Sequence, residues 1–334
     1  MTLTQLRYLV AIADAGLNIT LAAERVHATQ PGLSKQLKQL EEELGFLLFA
    51  RRGRSLAAIT AGGAQVLERA RAVVAGADNI LALAANERQS VHGELTVVTT
   101  HTQARFVLPP ALAALKQRYP EVGLHLQPVG DSDVLDLLAR GVADIAVLST
   151  SGQVPAGDVA LPLFRWRRVV LVPNAHPLAA LARAPTLAEL AAHPLVSYES
   201  TLSPDSSLRR AFEAEGLAPQ LALTARDADL IKTYVRAGLG VGLLAEMALL
   251  PEDAAVLTAL PAPVEIPECI AWAVLPRERV LRDYSFALLQ ELAPQIDRRD
   301  LKLALEFGEP MPWPAPPAWR RDAPPGPAKE QSSL

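Results

Sequence analysis

Apolar residues recur at helical spacing near the start of the chain, in three short segments. The first segment predicts a helix with Thr4 as its N-cap and Gly16 as its stop. A second helix is predicted from Thr20 to Val26, where the small Ala23 lets a neighbouring helix approach closely. The apolar positions of the first helix are Leu6, Leu9, Val10 and Ala13.

A third helix is predicted directly after the second. Thr29 is a good N-cap, and Pro31 is tolerated in a first turn whose N–H groups have no helical partner. The run Glu41–Glu43 is interpreted as its solvated end, and an arginine-rich loop at 49–56 predicts a wing. Three helices and a wing are typical of a winged helix-turn-helix that binds DNA. The buried stripe of the third helix is Leu33, Leu37, Leu40 and Leu44.

The opposite face of the third helix carries amides, hydroxyls and lysines, which suit base edges and phosphates. Gly32 leaves room where the DNA groove is close, and the arginines around Gly53 suit the backbone or the minor groove. The alternative is the solvated face of an ordinary helix. The candidate DNA contacts are Thr29, Gln30, Pro31, Gly32, Ser34, Lys35, Lys38, Arg51, Arg52 and Arg54.

A long helix is predicted from its N-cap Thr60 to about Arg88, and Gly93 ends this linker. Two sets of apolar residues repeat at seven-residue spacing, as in the seam of a coiled coil. We therefore expect it to pair with the same helix of a second copy; the alternative is a long helix packed on its own domain. The candidate dimerisation residues are Val66, Ala70, Val73, Ala77, Ile80 and Ala84.

Beyond the linker the pattern changes to alternating buried strands and helices, which predicts an α/β region with mostly parallel sheets. The predicted strands before the last one are Leu95–Thr99, Val122–Pro128, Ala143–Leu148, Val169–Val172, Leu195–Tyr198, Leu221–Thr224 and Val241–Leu244. The last strand, Cys269–Leu275, and the helix Leu281–Leu292 are expected to return to the first sheet and so give two lobes. A short helix is expected at Asp300–Phe307, and the proline-rich tail Glu309–Pro327 is expected to be mostly disordered. The predicted domains are a DNA-binding domain at 1–60, a linker at 61–92, lobe I at 93–162 and 267–295, lobe II at 163–266, and a C-terminal extension at 296–334.

Composition restricts DNA binding to one part of the chain. The net charge of −4 excludes a protein that coats nucleic acid with its whole surface. Residues 1–60 carry seven basic and five acidic side chains, a net charge of +2, which leaves −6 for the remainder. The single Cys269, among apolar neighbours, favours a buried structural thiol over a redox sensor. No signal peptide or membrane span is predicted, so a cytoplasmic protein is expected.

The polar segment Thr99–Gln103 lies between a predicted strand and a helix. Its hydroxyls, amide and free N–H groups at a helix N-terminus favour a small anion such as a carboxylate or sulfate. The alternative is a capping and turn segment. The glycines of Gly238–Gly242 follow a helix and precede a strand, the reverse of a dinucleotide-binding order. With no nucleophile elbow and no metal-spaced pair, no enzyme, cofactor or metal site is predicted.

Over residues 1 to about 295 the chain resembles the LysR-type transcriptional regulators. The motif that carries the resemblance runs from Ala22-Ala23-Glu24-Arg25 through Ser34 to Leu44-Gly45. The segment Thr60-Ala61-Gly62 departs from the Thr-Pro-Ala-Gly usual in the family, which slightly weakens helix pre-organisation. The resemblance implies a winged helix-turn-helix, a long linker helix and a C-terminal α/β two-lobed effector domain of the periplasmic-binding-protein type (type II). It also implies promoter DNA, RNA polymerase and a homodimer or homotetramer as partners.

Within that family the chain resembles the CysB-type subgroup, which controls sulfur assimilation and cysteine synthesis. The segments that carry this likeness are Thr99–Arg105, Asp227–Asp229, Ile231–Arg236 and Gly238–Gly242, with Asn18 and Thr29–Gly32. The likeness implies an acetylserine inducer, with sulfate or thiosulfate as competing ligands, at Thr100, Thr102 and Gln103. Two further threonines of the subgroup fall on Ser149 and Ser203, where the hydroxyl is kept and the methyl is lost.

Other readings stay open at this point. Within the family, the chain is an alternative candidate for control of sulfonate use or of another pathway. From other classes, an α/β enzyme fused to a DNA-binding module lacks a visible catalytic constellation. A role as a solute-binding transport component is contradicted by the missing export signal and by the predicted DNA-binding domain and linker in the first 90 residues.

Overall fold

The computed structural model describes residues 1–53, 55–157, 159–277, 279–307 and 311–320. The predicted DNA contact Arg54 therefore lies outside the described residues. The chain forms two compact units. The smaller unit comprises Met1–Ser90 with Ala139–Val142 and Glu278–Arg282, and the larger comprises Val91–Leu138, Ala143–Arg277 and Asp283–Leu334.

In its described part, the smaller unit contains four helices and an antiparallel hairpin, as the pattern predicts. Asn18, Thr29 and Thr60 cap the second, third and fourth helices with their side chains. The N-cap of the first helix is Thr2 and not Thr4, because Thr2 and Gln5 exchange bonds in a capping box. The elements are α1 Leu3–Asp14, α2 Ile19–Arg25, α3 Gln30–Leu44, β1 Phe49–Arg52, β2 Ser55–Ile59 and α4 Ala61–Glu87.

One apolar core holds the smaller unit together. Leu33, Leu37 and Leu40 of α3 are buried in it beside Leu9 of α1, as the leucine stripe predicts. A Cβ added at Gly63 would lie 2.0 Å from the carbonyl oxygen of Leu48. Only glycine therefore lets α4 begin this close to the hairpin.

Over its described residues, the larger unit contains two five-stranded sheets. The first has the order β4-β3-β5-β12-β6 and the second the order β11-β7-β10-β8-β9. The strands of the first are β3 Gly93–Thr100, β4 Val122–Val129, β5 Ile145–Thr150, β6 Val159–Trp166 and β12 Cys269–Leu275. The strands of the second are β7 Arg168–Pro173, β8 Leu195–Tyr198, β9 Leu221–Ala225, β10 Val241–Ala245 and β11 Leu257–Pro261. The helices are α5 His101–Phe106, α6 Leu108–Arg118, α7 Asp131–Ala139, α8 Leu187–Ala191, α9 Ser207–Ala214, α10 Ala228–Arg236, α11 Asp283–Leu292 and α12 Arg298–Phe307.

The prediction of mostly parallel sheets was wrong, because both sheets are mixed. In the first sheet β12 runs antiparallel to both β5 and β6, and in the second β7 runs antiparallel to both β10 and β11. Strands β6 and β11 were not predicted from the sequence. The return of β12 to the first sheet, between β5 and β6, agrees with the prediction.

The tail of the chain was expected to be mostly disordered, but residues 311–320 contact the edge strand β6. The Arg165 N–H donates to the carbonyl oxygen of Pro317 at 2.8 Å, and the Trp319 N–H donates to that of Arg165 at 2.7 Å. The rings of Phe164 and Trp319 pack with centroids 4.8 Å apart. The tail thus covers part of a sheet edge, even though its prolines prevent a regular strand. Residues 308–310 and 321–334 lie outside the described part.

Candidate functional site

The face of α3 that points away from the core is the candidate DNA-reading surface. The side chain of Thr29 caps the helix, since its Oγ1 accepts from the Gly32 N–H at 3.3 Å. Lys35 and Lys38 are exposed, and Lys38 lies 3.5 Å from Glu42 one turn later. Among the remaining candidates of this helix, Gln30 and Pro31 are exposed, whereas Gly32 and Ser34 are half-buried.

The wing that follows α3 is anchored by Glu41. Glu41 was interpreted as part of a solvated helix end, and this was wrong because the residue is only 5% exposed. Its Oε1 accepts from the N–H groups of Leu48 and Phe49 at 2.8 and 3.3 Å, and its Oε2 lies 3.3 Å from Arg51. Arg51 is therefore partly used in holding the wing, while Arg52 is exposed on the same strand.

The predicted seam of α4 divides into two parts. Ala70 is 2% exposed and packs with Val66 against the core of its own unit. The prediction that Ala70 contacts a partner chain therefore does not agree with its burial. Val73 and Ile80 are 51% and 68% exposed, Ala84 is exposed and Ala77 is half-buried. Leu83, which was not predicted, is also 54% exposed. Within the described residues, no helix, α4 included, combines the length and apolar character needed to cross a bilayer.

A cavity of about 670 Å³ lies between the two sheets of the larger unit, and we call it the inter-sheet cavity. It is partly open to solvent and receives residues from the ends of strands of both sheets. All five effector residues expected from the resemblance line it, although they come from three separate parts of the chain. They are Thr100, Thr102, Gln103, Ser149 and Ser203.

Ser149 is the centre of a hydrogen-bonded group on the first-sheet side of the cavity. Its Oγ accepts from Gln103 Nε2 at 2.8 Å and from the indole Nε1 of Trp166 at 3.0 Å. Since the oxygen is occupied by two donors, the hydroxyl hydrogen of Ser149 is left to donate towards the cavity. Gln103 is 1% exposed, and its Oε1 has no hydrogen-bond partner among the described residues.

Tyr198, the last residue of β8, links the second sheet to helix α5 in the wall of the cavity. Its phenol oxygen accepts from Thr102 Oγ1 at 3.3 Å and from the Ala245 N–H at 3.2 Å. Burial raises the pKa of Tyr198, so the phenol stays protonated at neutral pH. Its hydrogen, like that of Ser149, is available to a ligand that accepts hydrogen bonds.

Thr100 occupies the N-cap position of α5, yet its side chain makes no capping hydrogen bond within that described helix. The alternative of a simple capping segment therefore does not account for this hydroxyl, which lines the cavity. Helix α5 is held in place by contacts with α10 and with the core next to the second sheet. Arg105 Nε lies 2.5 Å from Asp229 Oδ2 of α10, and Phe106 packs in the core beneath β7 and β10.

The remaining cavity residues were not predicted from the sequence; among them are Asp131, Trp166, Arg168 and Tyr198. Asp131 begins α7, and Arg168 begins β7. Trp166 and Tyr198 each end a strand, as Thr100 does. Ligands of open α/β sheets bind at the carboxyl ends of strands. Because the strand that ends at Tyr198 was predicted, this rule would have identified Tyr198 as a cavity residue. It would have missed Trp166, because the strand that ends there was not predicted.

Comparisons of the chain with family models, with individual proteins and with solved structures all indicate the same family. The family described as "Bacterial regulatory helix-turn-helix protein, lysR family" matches residues 3–64, and "LysR substrate binding domain" matches residues 88–297. The HTH-type transcriptional regulator CysB of Haemophilus influenzae is 36% identical over 298 residues, which cover 89% of this chain and 92% of that protein. The HTH-type transcriptional regulator SsuR of Burkholderia cenocepacia is 32% identical over 301 residues, covering 90% and 97%.

The solved structures agree with these relatives. The cofactor-binding domain of the Cbl transcriptional regulator has 34% sequence identity and a TM-score of 0.59, over 65% of this chain and 94% of that chain. CysB, SsuR and Cbl are all named as transcriptional regulators. Together with the winged helix-turn-helix and the two mixed sheets, they show that the chain belongs to the LysR family of transcriptional regulators, and within it to the CysB type, and that it is not an enzyme.

Proposed function

We propose that this regulator controls genes of sulfur assimilation and cysteine synthesis, and that an acetylserine bound in the inter-sheet cavity activates it. Sulfate and thiosulfate are the proposed competing ligands. The observation that carries the proposal is that Thr100, Thr102, Gln103, Ser149 and Ser203 line one cavity. The similarity to CysB supports the sulfur-related assignment.

The donors of the cavity suit an oxygen-rich anionic group. The hydroxyl hydrogens of Ser149 and Tyr198 are free to donate because both oxygens already accept from protein groups. Thr100 contributes a third hydroxyl, and Arg168 contributes a guanidinium group. Hydroxyls around a cation are an arrangement that holds a carboxylate or a sulfur oxyanion.

For DNA binding we propose that α3 enters the major groove and that the hairpin β1–β2 contacts the backbone or the minor groove. Lys35 and Arg52, both exposed, are the proposed phosphate contacts. Two copies pair through the exposed part of α4, at Val73, Ile80 and Leu83, and dimers can assemble further into a tetramer. RNA polymerase is the proposed partner at the activated promoter.

The effector acts by changing which assembly geometry is favoured on DNA. Such coupling requires that the ligand bind the two geometries with different affinity. A second candidate function, control of sulfonate use or another pathway, is favoured by Ser149 and Ser203. Each serine lacks the methyl group of the threonine usual in the subgroup, which leaves more room for a different ligand.

A melting experiment with the full-length protein tests the effector assignment. Acetylserine is expected to raise the melting temperature of the wild type, because binding stabilises the native state by mass action. The Thr100→Val variant should lose this shift while keeping its affinity for operator DNA. Thr96→Val is the matched control, since Thr96 is half-buried on the same strand but does not line the cavity. An equal shift in all three proteins would contradict the assignment.

A further inference from the structure

The C-terminal extension lies beyond the part of the chain that matches the family. That match ends at residue 297, whereas the structure describes helix α12 and the segment 311–320 after it. Helix α12 contacts α11, since Arg298 pairs with Asp283 and its guanidinium carbon lies 4.7 Å from the centre of the Phe286 ring. The extension therefore begins by folding against the rest of the larger unit.

Residues 311–320, which we call the strap, bind to the outer edge of strand β6 through their backbone. The Arg165 N–H donates to the carbonyl oxygen of Pro317, and the Trp319 N–H donates to the carbonyl oxygen of Arg165. Arg165 and Ala318 form a parallel β-bridge between these two bonds. The strap thus adds to the sheet edge in the way that an extended peptide does, although it belongs to the same chain.

The strand that the strap binds leads directly into a crossing between the two sheets. Strand β6 ends at Trp166 and β7 begins at Arg168, with Arg167 as the one residue between them. The Arg167 N–H donates to Glu246 Oε1 at 2.8 Å, and the Arg167 carbonyl accepts from the Glu246 N–H at 3.0 Å. Arg167 Nε lies 2.6 Å from Oε1 of Glu268, which directly precedes β12, where the chain returns to the first sheet. Both crossings therefore meet at Arg167.

The backbone at these crossings has to absorb any change in the angle between the sheets, because the strands within each sheet are held by their neighbours. A strap bound at Arg165, two residues before Arg167, restricts that backbone. A ligand that contacts both sheets restricts it as well. Such a ligand loses less conformational entropy on binding when the strap has already restricted the crossing.

We propose that the strap is a regulatory element: by binding to β6 beside the crossing, it restricts the motion of the two sheets and raises the affinity of the protein for a ligand that contacts both. The effect goes beyond the proposed function, because it does not depend on the identity of that ligand. By thermodynamic linkage, a bound ligand in turn slows the release of the strap. The alternative is a strap that covers the edge of β6 and leaves the crossing unaffected.

Hydrogen exchange of the full-length protein tests the strap without any ligand. Trp319→Ala removes the ring that packs on Phe164, and Trp319→Pro also removes the N–H that donates to Arg165. In both variants we expect exchange that is about threefold or more faster at the Arg165 N–H and also at the Glu246 N–H, which bonds across the crossing. The Leu195 N–H, which is bonded elsewhere in the second sheet, should exchange at its wild-type rate.

Trp313→Ala is the matched control, because it removes the other tryptophan of the strap, whose N–H bonds to Met311 within the strap. It should leave all three exchange rates unchanged. Faster exchange at Arg165 with an unchanged rate at Glu246 would overturn the proposal, since the strap would then only cover an edge. Unchanged protection of Arg165 in both Trp319 variants would overturn it too, as would a general acceleration that includes Leu195.

A titration then tests the link between the strap and the ligand. The dissociation constant of acetylserine, measured by calorimetry, is expected to rise about threefold or more in both Trp319 variants and to keep its wild-type value in Trp313→Ala. Equal affinity of the wild type and the Trp319 variants would overturn the regulatory role. If acetylserine does not bind the wild type, the proposed function is wrong and the exchange rates alone decide: the strap stands if Glu246 exchanges faster in the Trp319 variants, and falls if it does not.

Discussion

The indole nitrogen of Trp166 lies 3.0 Å from the hydroxyl oxygen of Ser149, across the strand that separates them. Ser149 is the penultimate residue of β5, Trp166 is the last residue of β6, and β12 runs between these two strands. Gln103 donates to the same oxygen at 2.8 Å. One hydroxyl therefore holds an edge strand and helix α5 in place around the inter-sheet cavity.

Replacing Ser149 by alanine should destabilise the larger unit. The change removes the acceptor of two donors that are largely shielded from water, which costs about 1–3 kcal/mol of the free energy of unfolding. Urea denaturation measures this value. Ser149→Thr keeps the hydroxyl and is expected to stay close to the wild type, so equal stability of the alanine and threonine variants would show that the hydroxyl does not have this role.

Replacing Glu41 by alanine should loosen the wing. Two buried N–H groups, of Leu48 and Phe49, lose their common acceptor, and we expect a loss of about 1–3 kcal/mol in the stability of the smaller unit. The neighbouring Glu42→Ala is the control. Glu42 is exposed and, among the described residues, pairs with Lys38 alone, so its removal should change stability by less than about 0.5 kcal/mol. Similar losses in the two variants would argue against the anchoring role.

An acidic residue at position 80 should separate the protomers. Ile80 is 68% exposed on α4 although it is apolar, and pairing of two helices would bury it. Ile80→Asp is expected to reduce the mass measured by light scattering to that of one 35.8 kDa chain. Val264→Asp makes the same kind of change at a residue that is 91% exposed and should leave the assembly intact. An unchanged mass for Ile80→Asp would place the interface elsewhere.

Removing the Trp319 ring should release the tail from β6. The packing against Phe164 is worth about 0.5–1.5 kcal/mol beyond the apolar area that it buries. In Trp319→Ala we therefore expect faster hydrogen exchange of the Arg165 N–H, which bonds to Pro317. Trp313→Ala removes the other tail tryptophan and should leave this exchange rate unchanged. Protection of Arg165 that survives in Trp319→Ala would show that the tail does not depend on this ring.

The thiol of Cys269 should react slowly. Burial raises its pKa, so less thiolate is present at pH 8 than in a free cysteine, and the side chain is 3% exposed. A thiol reagent is expected to label it well below the rate of free cysteine, and an effector in the cavity should slow it further because Cys269 lines the wall. Unfolding in guanidinium should restore the full rate. Rapid labelling of the folded protein would contradict a buried thiol.

Much of the fold follows from local pattern. The N-cap at Thr29, the leucine stripe of α3, the strand Leu195–Tyr198 and the strand Cys269–Leu275 all agree with the predictions. These segments carry their signal within one stretch of chain: a capping residue, a helical period or a short apolar run between turns.

Other features depend on contacts that are distant in sequence. Glu41 is the same residue type as its exposed neighbours Glu42 and Glu43. It is buried because Leu48 and Phe49, which are distant along the chain, lie against it. Strand direction in the sheets depends on connections between lobes, and the ordering of the tail depends on an exposed edge at β6. Asp131 and Arg168 come together only when both sheets are formed, so no local pattern identifies them as cavity residues.

On the proposed function, a ligand in the inter-sheet cavity changes how the regulator is positioned on its promoter. Footprinting of operator DNA by the full-length wild type, with and without an acetylserine, measures this directly. We predict a footprint that changes in extent or in its pattern of enhanced cleavage when the ligand is added, and that does not change with Thr100→Val. An identical wild-type footprint at saturating ligand would contradict the claim.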